Sequence, residues 1–112
     1  MGKRTAIAGL VGGALLVLTT SPAWAQNALC FTSDDGQYPC TFEGIEGDGS
    51  FTISAKGKPT FTVYIIGGGE ADASAVFEPG GRSVSLPGPY LRSKDDPACW
   101  VSSATNTQIC AW

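Results

Sequence analysis

Phe51-Thr52-Ile53-Ser54-Ala55-Lys56-Gly57-Lys58-Pro59-Thr60-Phe61-Thr62-Val63-Tyr64-Ile65 reads as two β-strands and the turn that joins them. Apolar and polar residues alternate on both sides of Lys56-Gly57-Lys58, which is the period of a strand with one face in a core and one in water. The alternation predicts Phe51, Ile53, Phe61, Val63 and Ile65 facing inward, with Thr52, Ser54, Thr62 and Tyr64 facing out. Lys-Gly suits a tight hairpin, because Gly57 accepts the positive φ that such a turn demands.

The same grammar extends in both directions. Gly47-Asp48-Gly49 ends a preceding strand over residues 40–45, and Gly67-Gly68-Gly69 ends the second strand of the hairpin. Ala71, Ala73, Ala75 and Phe77 alternate with Asp72 and Ser74 before the turn dipeptide Pro79-Gly80. A strand over 82–86 follows, then Pro87-Gly88-Pro89, a short strand Tyr90–Arg92, and Lys94-Asp95-Asp96-Pro97 before a last hairpin. No window sustains a helical period, and 15 glycines and 7 prolines leave little room for a long helix. Seven to nine short strands, spaced by roughly ten residues, predict an all-β fold, a small antiparallel sandwich or barrel, with the choice between the two left open. The expected core is Phe42, Phe51, Ile53, Phe61, Val63, Ile65, Phe77, Val84, Leu86 and Leu91.

The beginning of the chain has a different character. Met1-Gly2-Lys3-Arg4 is basic, residues 5–18 are apolar and uncharged, and Ala23-Trp24-Ala25 is a small-x-small signature. Together they read as a bacterial-type signal peptide over 1–25, cleaved after Ala25, which leaves 26–112 as one small domain in the periplasm or the medium. The apolar run is shorter than the roughly 20 residues a membrane span needs. Leu29 before Cys30 is not the small residue that lipid attachment generally wants.

All 4 cysteines lie in the expected mature chain. An oxidising compartment makes two disulfides the default, and three connectivities are possible. Turn chemistry favours the local pairs. With Asp34-Asp35-Gly36 as a three-residue turn, Ser33 opposes Gln37 and Cys30 opposes Cys40; a hairpin centred on Ala104-Thr105 likewise sets Cys99 opposite Cys110. Each short bridge is worth about 3 kcal/mol by the chain-entropy argument. A zinc site is disfavoured, since no C-x-x-C pair is present.

Composition excludes several kinds of chemistry. With His at 0, no Ser–His or Cys–His nucleophile pair and no imidazole metal site can exist. A net charge of −3, more negative once Lys3 and Arg4 are removed, argues against nucleic acid. Lys56, Lys58 and Lys94 sit in expected turns, exposed and charged, so a Ser–Lys mechanism has no base. Asp34-Asp35, Asp48 and Asp95-Asp96 read as solvated turn carboxylates: the EF-hand calcium spacing is absent, and a glycosidase pair lacks a cleft. Catalytic residues, metals and cofactors are therefore expected to be none.

The aromatics remain. If Cys99 faces Cys110, then Trp100 shares the opposite face with Ile109, and either that pair or Val101 with Trp112 enters the core. Trp100, Tyr64, Tyr90 and Trp112 are the candidate binding residues, since exposed Trp and Tyr serve both sugar and protein surfaces. The expected function is a small non-enzymatic binding module outside the cytoplasm, recognising a protein or a glycan. Its alternatives are a periplasmic inhibitor of a cell-wall hydrolase and an envelope structural or stress protein with no small ligand. The exported protein is expected to begin at Gln26, and N-terminal sequencing or intact mass decides it; a mass that retains the first 25 residues removes the signal-peptide reading.

Overall fold

Period-2 alternation governs the molecule, and it closes into a ring. The structure, a computed structural model, describes residues 25–112. The expected signal peptide and its Ala23-Trp24-Ala25 signature lie outside the described residues, except for Ala25. Nine antiparallel strands follow in order: β1 Ala25–Thr32, β2 Gly36–Gly44, β3 Phe51–Ser54, β4 Thr60–Gly67, β5 Glu70–Val76, β6 Ser83–Ser85, β7 Tyr90–Arg92, β8 Cys99–Ser102 and β9 Gln108–Ala111. Neighbours around the wall run β4-β3-β2-β1-β9-β8-β7-β5, and β5 pairs back onto β4, so eight strands form a closed barrel. β6 is the ninth strand and lies outside the ring, paired with the second half of β5.

The barrel interior is filled by side chains, as eight strands allow. Phe51 and Ile53 of β3 and Phe61 and Val63 of β4 are buried, as the alternation predicts. Ile53, Val63 and Ile109 are among the most completely buried side chains, each worth about 1.5–3 kcal/mol of transfer free energy. Space is shared between large and small residues. Ala71, Ala73 and Ala75 of β5 pair with Ile65, Val63 and Phe61 of β4, and the alanine stripe leaves room across the interior for Tyr90 and Trp100. In the last hairpin the pair that enters the core is Trp100 and Ile109, both 2 % exposed, whereas Trp112 stays 50 % exposed.

Three expected core positions are corrected. Phe77, Val84 and Leu91 are 52 %, 46 % and 43 % exposed. Phe77 continues the inward parity of Ala71, Ala73 and Ala75, but β5 ends at Val76, so the ring projects past the wall. Val84 shares a face with Ala75, but on a strand outside the ring. Leu91 pairs with Glu70 and Val101 on the outer face, because Tyr90, one residue earlier, takes the inward position opposite Ala71 and Ser102. A one-residue offset flips a whole strand. Phe42, Ile65 and Leu86 are half-buried against the core.

Both local disulfides are present, Cys30–Cys40 and Cys99–Cys110. The first hairpin nevertheless has a different register from the expected one. The turn is Ser33-Asp34-Asp35 with Thr32 opposite Gly36, so Cys30 opposes Tyr38 and Cys40 opposes Ala28. A shift by two residues preserves parity; both cysteines still face inward, and the bridge runs diagonally with Cα atoms 5.8 Å apart. Cys99 and Cys110 are directly opposed, as predicted, on the face away from Trp100 and Ile109.

The contrast between two adjacent residues tests the alternation. Phe61→Ala should lower unfolding free energy by about 3–5 kcal/mol. Thr62→Ala should change it by less than about 1 kcal/mol. Urea titration measures both, and equal losses would mean that β4 is buried on two faces.

Candidate functional site

The two ends of the barrel are built differently. Strand directions place the 45–50 loop, Gly67-Gly68-Gly69 and residues 93–98 at one end, called lower here. The turns at 33–35, 55–59, 77–82 and 103–107 lie at the upper end.

Side chains partly fill the lower end, where Phe42, Phe51, Arg92, Pro97 and Trp100 line an open depression of about 290 Å³. The Arg92 guanidinium lies 4.3 Å from the centre of the Trp100 ring, and its Nη1 donates to the Pro97 carbonyl at 2.7 Å. The Phe42 and Phe51 rings stack at 5.0 Å. The 45–50 loop folds onto this end through buried Ser50, whose Oγ accepts the Ile65 amide at 2.9 Å. Gly49, at φ +98°, passes so close that a Cβ there would stand 2.9 Å from Ile65 Cδ1. The Ser50 amide donates to Asp48, and these hydrogen bonds hold the exposed Asp48 carboxyl below its usual pKa. Glu43, Glu46, Asp48, Glu70, Asp95 and Asp96 outnumber Arg92 and Lys94 at the same end, which is therefore acidic.

The upper end is open. A pocket of about 160 Å³ enters the barrel there, between the end of β6 and the 103–107 turn. Its lining is an apolar floor and wall, Phe61, Tyr90 and Ile109 inside with Phe77, Leu86 and Pro87 at one side. Thr32, Ser33, Asp34, Thr105, Thr107 and Gln108 make a polar rim. The rim is fixed on the hairpin side. Ser33 and Gln108 exchange bonds, amide 108 to Ser33 Oγ at 2.8 Å and amide 33 to the Gln108 carbonyl at 3.2 Å. The Tyr90 hydroxyl reaches Thr107 Oγ1 at 3.3 Å. Buried Ser102 donates to the Pro87 carbonyl at 2.6 Å and accepts the amides of Ala104 and Thr105. A preformed apolar opening with a polar edge is the usual form of a small binding site.

The four candidate aromatics are not gathered into one site. Tyr90 is buried in the floor of the mouth. Trp100 is buried beneath Arg92 at the lower end. Tyr64 is exposed on the outer wall opposite Asp72, beside Ser74, Ser83 and Ser85. Trp112 is exposed at the end of the described chain and donates through Nε1 to Asp96 at 2.9 Å. Of the mouth residues only Tyr90 is a candidate from the sequence; Phe77, Leu86 and Asp34 are among those that sequence reasoning does not select. The signal for Phe77 was present: an aromatic at the last alternating position before Pro79-Gly80 stands where a strand runs out.

Among the described residues, no three His, Cys, Asp or Glu side chains gather as metal ligands, and no serine or threonine hydroxyl bonds a lysine amine. Lys58 lies 3.9 Å from Asp35 and 5.3 Å from the centre of the Tyr38 ring. Burial, and then the Asp35 carboxylate, raise the Tyr38 pKa. Among the described residues no helix is long and apolar enough to cross a membrane. No protein-family model, curated protein or solved structure matches the chain.

The mouth residues divide into structural and free ones. Ile109→Ala should destabilise by about 2–5 kcal/mol, because Ile109 is fully enclosed. Phe77→Asp, at a rim position, should cost less than about 1 kcal/mol. Thermal unfolding of both variants checks this, and a collapse of Phe77→Asp would make the rim part of the core.

Proposed function

We propose that the protein is a small non-enzymatic binding module that works outside the cytoplasm, in the periplasm or the medium, and recognises its partner through the upper mouth of the barrel. The carrying observation is the apolar opening between β6 and the 103–107 turn, with Phe77 half-exposed at its lip. The opening combines an apolar floor with a fixed polar edge, which favours a binding role over that of an envelope structural or stress protein. Two disulfides support the extracytoplasmic destination, as does the basic, apolar and small-x-small start of the sequence. The partner is a protein rather than a glycan, since the mouth offers an apolar floor and not an exposed aromatic platform.

An inhibitor of a cell-wall hydrolase is a specific form of this reading. The acidic lower end is the observation that favours it, because it complements a basic enzyme.

Position-specific crosslinking tests the proposal. A photoreactive benzoyl-phenylalanine is placed at Phe77, and in a second strain at Lys94 on the opposite end, in the cells that make the protein. Irradiation should give an adduct from position 77 that protease treatment collapses, and none from position 94. An adduct only from position 94 moves the site to the acidic end. An adduct from position 77 that resists protease makes the partner a glycan, and none above background at 77 overturns the mouth reading.

A further inference from the structure

We propose that the upper mouth takes an extended polypeptide segment of its partner, which adds as a strand to the free edge of β6 and inserts one large apolar side chain into the pocket. The inference rests on the reading of the mouth as the binding site and names what enters it.

β6 pairs with β5 and with no other strand among the described residues. The Leu86 amide donates to the Ala73 carbonyl at 2.9 Å, which makes Leu86–Ala73 a hydrogen-bonded pair in the β5–β6 register. Antiparallel pairs alternate, so Val84–Ala75 is hydrogen-bonded as well. The amides and carbonyls of Ser83 and Ser85 therefore point away from β5 and have no strand to meet them. Exposed edges are normally guarded by shortness, charge, proline or a bulge. This edge is short and lies between Arg82 and Pro87, but Ser83-Val84-Ser85 itself carries no charge or proline, and all three residues are exposed.

The pocket stands where such a strand would need it. Directly opposed residues of paired strands share a face. Leu86 lines the pocket, so a residue placed opposite Leu86 shares the face that looks into it. Backbone pairing would supply affinity, and the pocket would select the alternate side chain.

Charge specifies the segment further. Asp34 is on the pocket rim, and among the described residues the only ion pair is Lys58 with Asp35. An unpaired carboxylate beside an apolar pocket complements a segment in which a lysine or arginine lies close to the inserted apolar residue. A second copy of the chain is the rival occupant, because two free β6 edges can pair antiparallel about a two-fold axis.

Selection of random linear 12-residue peptides by display, on protein expressed from the full sequence, tests the proposal. Enriched peptides should share a large apolar residue with a lysine or arginine within two positions. Their Kd should rise at least tenfold on Ser85→Pro, which removes only the outward amide and is tolerated on an edge strand. It should rise similarly on Phe77→Asp, and severalfold on Asp34→Asn. Circular dichroism and thermal unfolding establish that each variant is folded. Sensitivity to Phe77→Asp without sensitivity to Ser85→Pro keeps the mouth and overturns strand addition. Insensitivity to both, or enrichment of no peptide, overturns the segment for this site. A concentration-dependent dimer abolished by Ser85→Pro assigns the edge to a second copy and overturns the partner segment.

Discussion

The pairing of β4 with β5 closes the ring, and most of the structure depends on it. Until those strands meet, the chain is an open sheet with a β4 edge and a β5 edge; once they meet, every strand has an inside and an outside. Closure removes edges altogether for a strand whose both sides are taken. β5 is the exception that shapes the molecule, because its second side is shared. Its first residues pair with β7 and its last with β6, so the wall is complete below and divided above. The mouth and the free strand edge are two consequences of that one division.

A domain of this size has little surplus stability, and the disulfides act on that problem from different sides. Cys30–Cys40 sits in the interior, where it both closes a loop and fills core volume. Cys99–Cys110 lies on the opposite face from Trp100 and Ile109, yet both its cysteines are buried. Buried polar groups are handled with similar economy. Ser50 and Ser102 each hold a loop through hydrogen bonds that would otherwise be unmade, and Thr32 accepts the Asp35 amide across the first turn. The Tyr38 hydroxyl alone lacks a partner among the buried side-chain polar atoms described. Its phenol is enclosed beneath Lys58, and the same burial raises its pKa. The sign of that shift is that the neutral phenol is favoured in the folded state. The stability associated with it is whole below the ordinary tyrosine range and is lost as pH rises through the raised value.

The fold was legible wherever alternation and turn residues agreed. Thr52 and Thr62 flank each other on the outer face, with Oγ1 atoms 3.3 Å apart, while Ile53 and Phe61 meet inside, as period 2 requires. Disulfide pairing was legible because parity survives a register shift of two, even though the first turn was placed one residue late. Closure was not legible, since a sandwich and a barrel use the same strand pattern and differ in one long-range pairing. That is also why Val84 and Phe77 were misjudged: alternation tells which way a side chain points, and only closure tells whether a wall stands there to cover it. Leu91 failed for a local reason. Tyr90 and Leu91 are both apolar enough to be inward, and pattern alone gives no parity to a three-residue strand. Of the candidate aromatics, sequence could name amphipathic residues but could not tell that Tyr90 lies in a mouth while Trp100 lies under Arg92.

The contrast between the ends bears on how the molecule associates. The lower end packs its large side chains together, with Arg92 over Trp100 and two stacked phenylalanines, and it gathers carboxylates outside. Charge at such an end acts over about 8–10 Å at physiological salt and can steer an approaching basic partner. At the upper end Lys58 pairs with Asp35, Asp34 stays unpaired on the rim, and Phe77 and Leu86 stand at the pocket. Apolar contact is short-ranged and depends on fit, so under the proposed binding role selection at this end follows collision. The two ends thus differ in kind: one gathers carboxylates around a partly filled interior, and the other presents an apolar opening with a polar edge. Filling the mouth with a larger core residue would bury more apolar surface, as the stacked Phe42 and Phe51 do at the lower end, and under the proposed binding role it would do so at the expense of the opening.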